Sequence, residues 1–105
     1  MPEWWRPYVL RFVSRVQWVA SQGGLQVTSW KRSMAHNRAV GGASNSQHLV
    51  WTAVDLVPDD GDLLGLERVC RQAGFGYVLN EGDHIHVQEF PAGVLPPMVF
   101  QLLAA

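Results

Sequence analysis

Residues 76–88 read GYVLNEGDHIHVQ, and their order decides the fold. Tyr, Val and Leu form a short β-prone run. Asn-Glu-Gly-Asp then supplies turn residues, and a second run follows in which apolar Ile85 and Val87 alternate with His84, His86 and Gln88. Two such runs separated by a Gly-containing connection read as a β-hairpin. Side chains alternate along a strand, so His84, His86 and Gln88 fall on one face and Ile85 and Val87 on the other.

Working outward, residues 52–57 also alternate in polarity as a strand does, and Pro58-Asp59-Asp60-Gly61 reads as a turn. An amphipathic helix is expected over 62–73, capped by Gly74. A longer one is expected over Arg6–Gln22, where Val9, Phe12, Val13, Val16, Val19 and Ala20 recur at spacings of three and four. Gly23-Gly24 ends that helix with the left-handed cap glycine often provides, and Leu25–Ser29 follows as a short strand. Residues 30–47 are rich in Ser, Asn, Gly and Ala, leaving room for one or two helical turns around 34–40. A long irregular segment of this kind in a compact domain is usually functional. The tail, 91–105, holds Pro96-Pro97 and an apolar run that suggests a short packing helix.

At 105 residues the chain suits one domain, 1–105, with one core. Its content, 48% hydrophobic and 16% charged, is that of a folded protein. A net charge of -1 and the lack of any Lys/Arg run give no footprint for nucleic acid, which is not expected as a partner. The single cysteine, Cys70, excludes an internal disulfide, and its setting among Leu63, Leu64, Leu66 and Val69 reads as a buried thiol. No stretch approaches the roughly 18 apolar residues of a membrane span. Arg6, Arg11 and Arg15 interrupt the apolar N-terminal segment, so no signal peptide is expected.

The chemistry concentrates in two windows, 46–55 (SQHLVWTAVD) and 83–86 (DHIH), which hold three of the four histidines and two aspartates. Neutral imidazole and carboxylate both suit zinc, and two His with one carboxylate leave a fourth position for water, the pattern of catalytic sites. Geometry constrains the first window. In one extended strand His48 and Asp55 lie about 23 Å apart at roughly 3.3 Å per residue, too far to share an ion. The chain must therefore turn between them, with His48 on a loop and Asp55 within the strand. By spacing alone, surface or hydrogen-bonded histidines are the commoner reading.

The residues SWKRS at 29–33, HNRAVGG at 36–42, NSQHL at 45–49, AVD at 53–55, GFGY at 74–77 and DHIHV at 83–87 form an ordered set. It resembles the M15 zinc peptidases, in particular the D-Ala-D-Ala carboxypeptidase and phage endolysin branch. The resemblance runs from about Leu25 to Phe90. It implies an α+β fold, a small antiparallel sheet with flanking helices, like that of the hedgehog and D-Ala-D-Ala peptidase domains. It also implies Zn2+ held by His48, Asp55 and His86, and Asp83 as the catalytic acid or base, with Glu81 a rival. His84 and Arg32 would assist the transition state or bind substrate, and Ser46 would contact substrate. The implied function is hydrolysis of peptidoglycan stem peptides by a metal-activated water, as a carboxypeptidase or an endolysin-type endopeptidase. The alternative is an inactive module that keeps the zinc. A monomer acting at the bacterial cell wall is expected, delivered by a phage lysis system, a virion or a parent chain. Two positions depart from the pattern: Trp30 and Trp51 stand where the family commonly has glycine, and each flanks a site segment, so the two are expected near one another. Trp4, Trp5 and Trp18 are expected to pack around the N-terminal helix.

Overall fold

The computed structural model describes residues 3–30, 34–41 and 51–91. Helix α1, Arg6–Gln22, begins with a proline in its first turn, where the missing N–H costs nothing. It buries Phe12, Val16 and Val19, which stand four and three residues apart and so share one face. Trp5, just ahead of the helix, is also buried and stacks on Phe90 with ring centroids 5.6 Å apart. Trp4 and Trp18 depart from the packing expectation. Trp18 falls off the buried face of α1 and is 41% exposed, and Trp4, ahead of the helix, meets Trp5 edge-on but is still 38% exposed.

Gly23 closes α1 with φ 174, which is extended backbone and not the expected left-handed cap. The chain takes this form because it runs directly into strand β1, Leu25–Ser29, where the Asp59 N–H donates to the Gly24 carbonyl at 3.0 Å. A short helix α2, Met34–Ala39, occupies the place where one or two turns were expected. Strand β2 is Ala53–Pro58, helix α3 Leu63–Gln72, and strands β3 and β4 are Tyr77–Asn80 and Ile85–Gln88. The tail helix expected within 91–105 lies outside the described residues, which end at Pro91.

The four strands form one antiparallel sheet in the order β1-β2-β4-β3. Together with the helices this is the α+β architecture expected. One face of the sheet presents Val54, Leu56, Ile85 and Val87, all buried, to Phe12, Val16 and Val19 of α1 and Leu66 and Cys70 of α3. Burial pushes the Cys70 thiol up to about 12, so it stays protonated and serves as a packing group. The Asp62 side chain caps α3 by accepting from the Gly65 N–H at 2.9 Å.

At the edge of the core face, Glu89 is almost wholly buried and accepts from Arg11 Nε at 2.8 Å and from Arg15, tying α1 to the end of β4. The β3–β4 turn is closed by Gly82, whose φ of +94 favours glycine, with its N–H donating to the Asn80 side chain at 2.9 Å. Gly76 is required for another reason. A Cβ there would run into the Glu89 carbonyl oxygen, so only glycine lets β3 start this close to β4.

Candidate functional site

The opposite face of the sheet carries the polar groups. Asp55, in the middle of β2, is the register partner of His86 in β4, so their side chains leave adjacent strands on the same face. His86 Nδ1 lies 2.9 Å from Asp55 Oδ1, and both side chains are largely buried. The sheet is shaped at this point. The β1–β2 pairing slips between Val27 and Ser29, bringing Ser29 opposite Asp55, and Thr28 Oγ1 donates to the Asp55 carbonyl at 3.4 Å. Such irregularities re-aim side chains and are common beside sites.

His84 continues the same face one step outward, as the alternation of residues 84–88 requires. Its Nδ1–H faces Asp83 Oδ1 at 2.6 Å, while its Nε2 lies 3.7 Å from Asp55 Oδ1 and 3.7 Å from Glu81 Oε2. Asp83 stands at the solvent edge, its side chain 87% exposed. Asp55, His86, His84 and Asp83 thus form one line from the sheet interior to the surface. Arg32, Ser46 and His48 lie outside the described residues. Among the described residues no three His, Cys, Asp or Glu side chains gather tightly enough to hold an ion by themselves.

Three opposing effects set the protonation of His86. Burial disfavours the imidazolium, but hydrogen bonds to Asp55 and Gln88 and the nearby charges of Asp55 and Glu81 favour it. The net result lies above the ordinary 6.5. A proton and a metal ion would satisfy this arrangement in the same way, by placing positive charge between Nδ1 and the carboxylate.

Trp30 and Trp51 are adjacent: the Trp30 indole N–H donates to the Trp51 carbonyl at 3.2 Å. Trp30 also packs edge-on against Phe12, so it belongs partly to the core. Trp51 has φ 68 and is the one non-glycine with positive φ among the described residues. The backbone at 51 thus adopts the conformation glycine favours, and Trp51 accepts a left-handed backbone that costs an L-residue about 1–2 kcal/mol. The residue is 43% exposed, so core packing does not account for it fully.

The sequence model described as Peptidase M15 matches residues 9–88, most of the chain, from within α1 to the end of β4. The chain belongs to the M15 peptidases. It is also 39% identical over 61 residues to the zinc D-Ala-D-Ala carboxypeptidase of Streptomyces albus G, an alignment covering 53% of this chain and 24% of that protein. This M15 chain thus spans about a quarter of the length of the curated relative it matches. No helix among its described residues is long and apolar enough to cross a membrane.

Two residues of the polar face carry no role on the spacing of the sequence alone. Gln88 accepts a hydrogen bond from His86, and Tyr77, its register partner on β3, sets its ring edge-on to His86 at 6.3 Å. The period-two pattern that pairs His84 with His86 extends to Gln88 and could have found it. Nothing in the spacing indicates Tyr77, because it comes from the other arm of the hairpin.

Proposed function

We propose that this chain is a zinc metallopeptidase that hydrolyses peptidoglycan stem peptides, as a D-Ala-D-Ala carboxypeptidase or an endolysin-type endopeptidase. Membership of the M15 peptidases supports the peptidase class. The observation that carries the reading is the convergence of an imidazole and a carboxylate, His86 and Asp55, at 2.9 Å from neighbouring strands. The donor set fits zinc, which takes His nitrogen and Asp oxygen. His48, Asp55 and His86 would hold the ion. When bound, it supplies a Lewis acid and lowers the pKa of a coordinated water from about 15.7 towards 7.

The remaining work falls to the chain. Asp83, open to solvent beside His84, takes the proton of the attacking water and passes it to the leaving amine. His84 donates from Nδ1 to Asp83, which orients that carboxylate and turns Nε2 towards the Asp55 side of the site. Arg32 pairs with a substrate carboxylate or the developing oxyanion through its fixed fork of donors, and Ser46 contacts substrate. The protein acts as a monomer at the cell wall, reached through a phage lysis system, a virion or a parent chain.

Digestion of purified peptidoglycan, with mass spectrometry of the products, tests this reading. Released D-Ala means carboxypeptidase and separated stem or cross-bridge fragments mean endopeptidase, each abolished by a strong chelator. Zinc uptake without any product points instead to a binding module. Hydrolysis unchanged after verified metal loss refutes the mechanism.

The pH dependence has a fixed sign. His86 must release its proton before it can ligate, and that proton is held above the ordinary value. Apparent zinc affinity should therefore begin to fall above pH 6.5 as the solution is acidified, by about tenfold per pH unit for one displaced proton. In the metal-free protein the same raised pKa stabilises the fold fully below about 6.5. That contribution is lost as the pH rises through the folded-state value. Zinc titrations and melting curves across neutral pH should thus run in opposite directions. A metal-free protein that gains stability through this step contradicts the assignment.

A further inference from the structure

Gln88 has its amide orientation fixed at both ends. Its Nε2–H donates to the Phe90 carbonyl at 2.8 Å, and that oxygen can only accept. The amide oxygen is therefore the atom facing His86, where it lies 2.7 Å from Nε2. An amide oxygen also only accepts, so Nε2 of His86 must carry a hydrogen to make this bond. An imidazole that keeps its hydrogen on Nε2 can bind a metal only through Nδ1. Nδ1 is the nitrogen that lies 2.9 Å from Asp55 Oδ1. The side chain of Gln88 is largely buried within the sheet face, so water cannot readily take over either bond.

From this geometry we infer that Gln88 is a positioning residue for the metal site, holding His86 in the tautomer that presents Nδ1 to the ion beside Asp55. The inference rests on the zinc reading of the site. Metal-bound histidines usually donate their second N–H to a fixed acceptor, and removing that acceptor typically weakens metal binding about 10–100-fold. Here the acceptor is a neutral amide locked by the backbone of Phe90, so it orients the ring without adding a charge. The donor bond to Phe90 fixes the acceptor, and the acceptor fixes the ring.

Gln88→Met replaces the amide with a weakly accepting thioether of similar length, and Gln88→Glu keeps a strong acceptor facing His86 while giving up the donor to the Phe90 carbonyl. Two readouts are compared on the intact chain: zinc affinity by competition with a chelator, and the ligating nitrogen of His86 from nitrogen-15 NMR of the zinc-loaded protein. In the wild type, Nδ1 should carry the metal and the Nε2–H should exchange slowly. Gln88→Met should bind zinc about 10–100-fold more weakly and lose the protected Nε2–H. Gln88→Glu, which loses the bond to Phe90 but keeps an acceptor, should retain the protected Nε2–H that Gln88→Met loses. Melting curves on metal-free protein separate this from a general loss of fold. Metal on Nε2 in the wild type overturns the inference, as does a folded Gln88→Met with unchanged affinity and a protected Nε2–H. A wild type that takes up no zinc removes the zinc reading and this inference together, whereas normal uptake with an indifferent Gln88→Met removes only this inference.

Discussion

His86→Ala should lose most of its zinc, while Asp83→Asn should keep the metal and lose turnover. The two residues are three positions apart, but the hairpin separates their surroundings. His86 is largely buried and in register with Asp55, whereas Asp83 lies on the turn, 87% exposed and bonded to His84. Removing His86 leaves two expected ligands, a poor site for zinc, and stability at a given zinc concentration falls because metal bound to the native state adds to folding free energy. It also leaves Asp55 and Gln88 without the group they share. Asp83→Asn is close to isosteric but cannot accept the water's proton, and loss of a general base typically lowers rate by about 10²- to 10⁴-fold. Zinc content and rate measured on both variants give a two-by-two outcome. If Asp83→Asn sheds its zinc, Asp83 is a ligand. If it keeps zinc and full rate, the base lies elsewhere, and Glu81, 3.7 Å from His84, is next in line.

Phe12→Ala should destabilise the fold by about 3–5 kcal/mol, a large part of what a domain of this size possesses. Phe12 is fully buried on the core face of the sheet, with its ring 5.5 Å from Phe75 and 6.0 Å from Trp30. It packs in one cluster with Val54 and Val87, the chain neighbours of Asp55 and His86. The cavity left by its removal therefore opens beneath the two strands that carry the site. Trp18→Ala, on the exposed side of the same helix, should change stability by no more than about 0.5 kcal/mol. Urea denaturation of the metal-free variants measures both. Similar losses at the two positions would mean that α1 does not dock through the face described.

Much of this arrangement follows from local pattern. The 3.6-residue period of α1, the turn chemistry of Pro58-Asp59-Asp60-Gly61 and the alternation of residues 84–88 each depend on near neighbours. Local sequence therefore sets the elements, and it also puts His84, His86 and Gln88 on one face before any partner is known. Chain order alone likewise implies that His48 and Asp55 can share an ion only if the chain turns between them, since an extended strand keeps them apart.

Only the tertiary structure decided the rest, because the remaining relations join residues distant in sequence. The β2–β4 register, 31 residues apart at Asp55 and His86, brings carboxylate and imidazole to 2.9 Å, and sliding it by one residue would turn Asp55 into the core. The bulge in β1, the Glu89 link to Arg11 and Arg15 and the Trp30–Trp51 hydrogen bond depend on the same long-range packing. The extended backbone at Gly23 and the exposure of Trp4 and Trp18 have the same origin. Glycine's freedom permits several endings to a helix, and a tryptophan's hydrophobicity does not say which side of a helix has a neighbour. The strand that receives the chain and the sheet that meets the helix settle both.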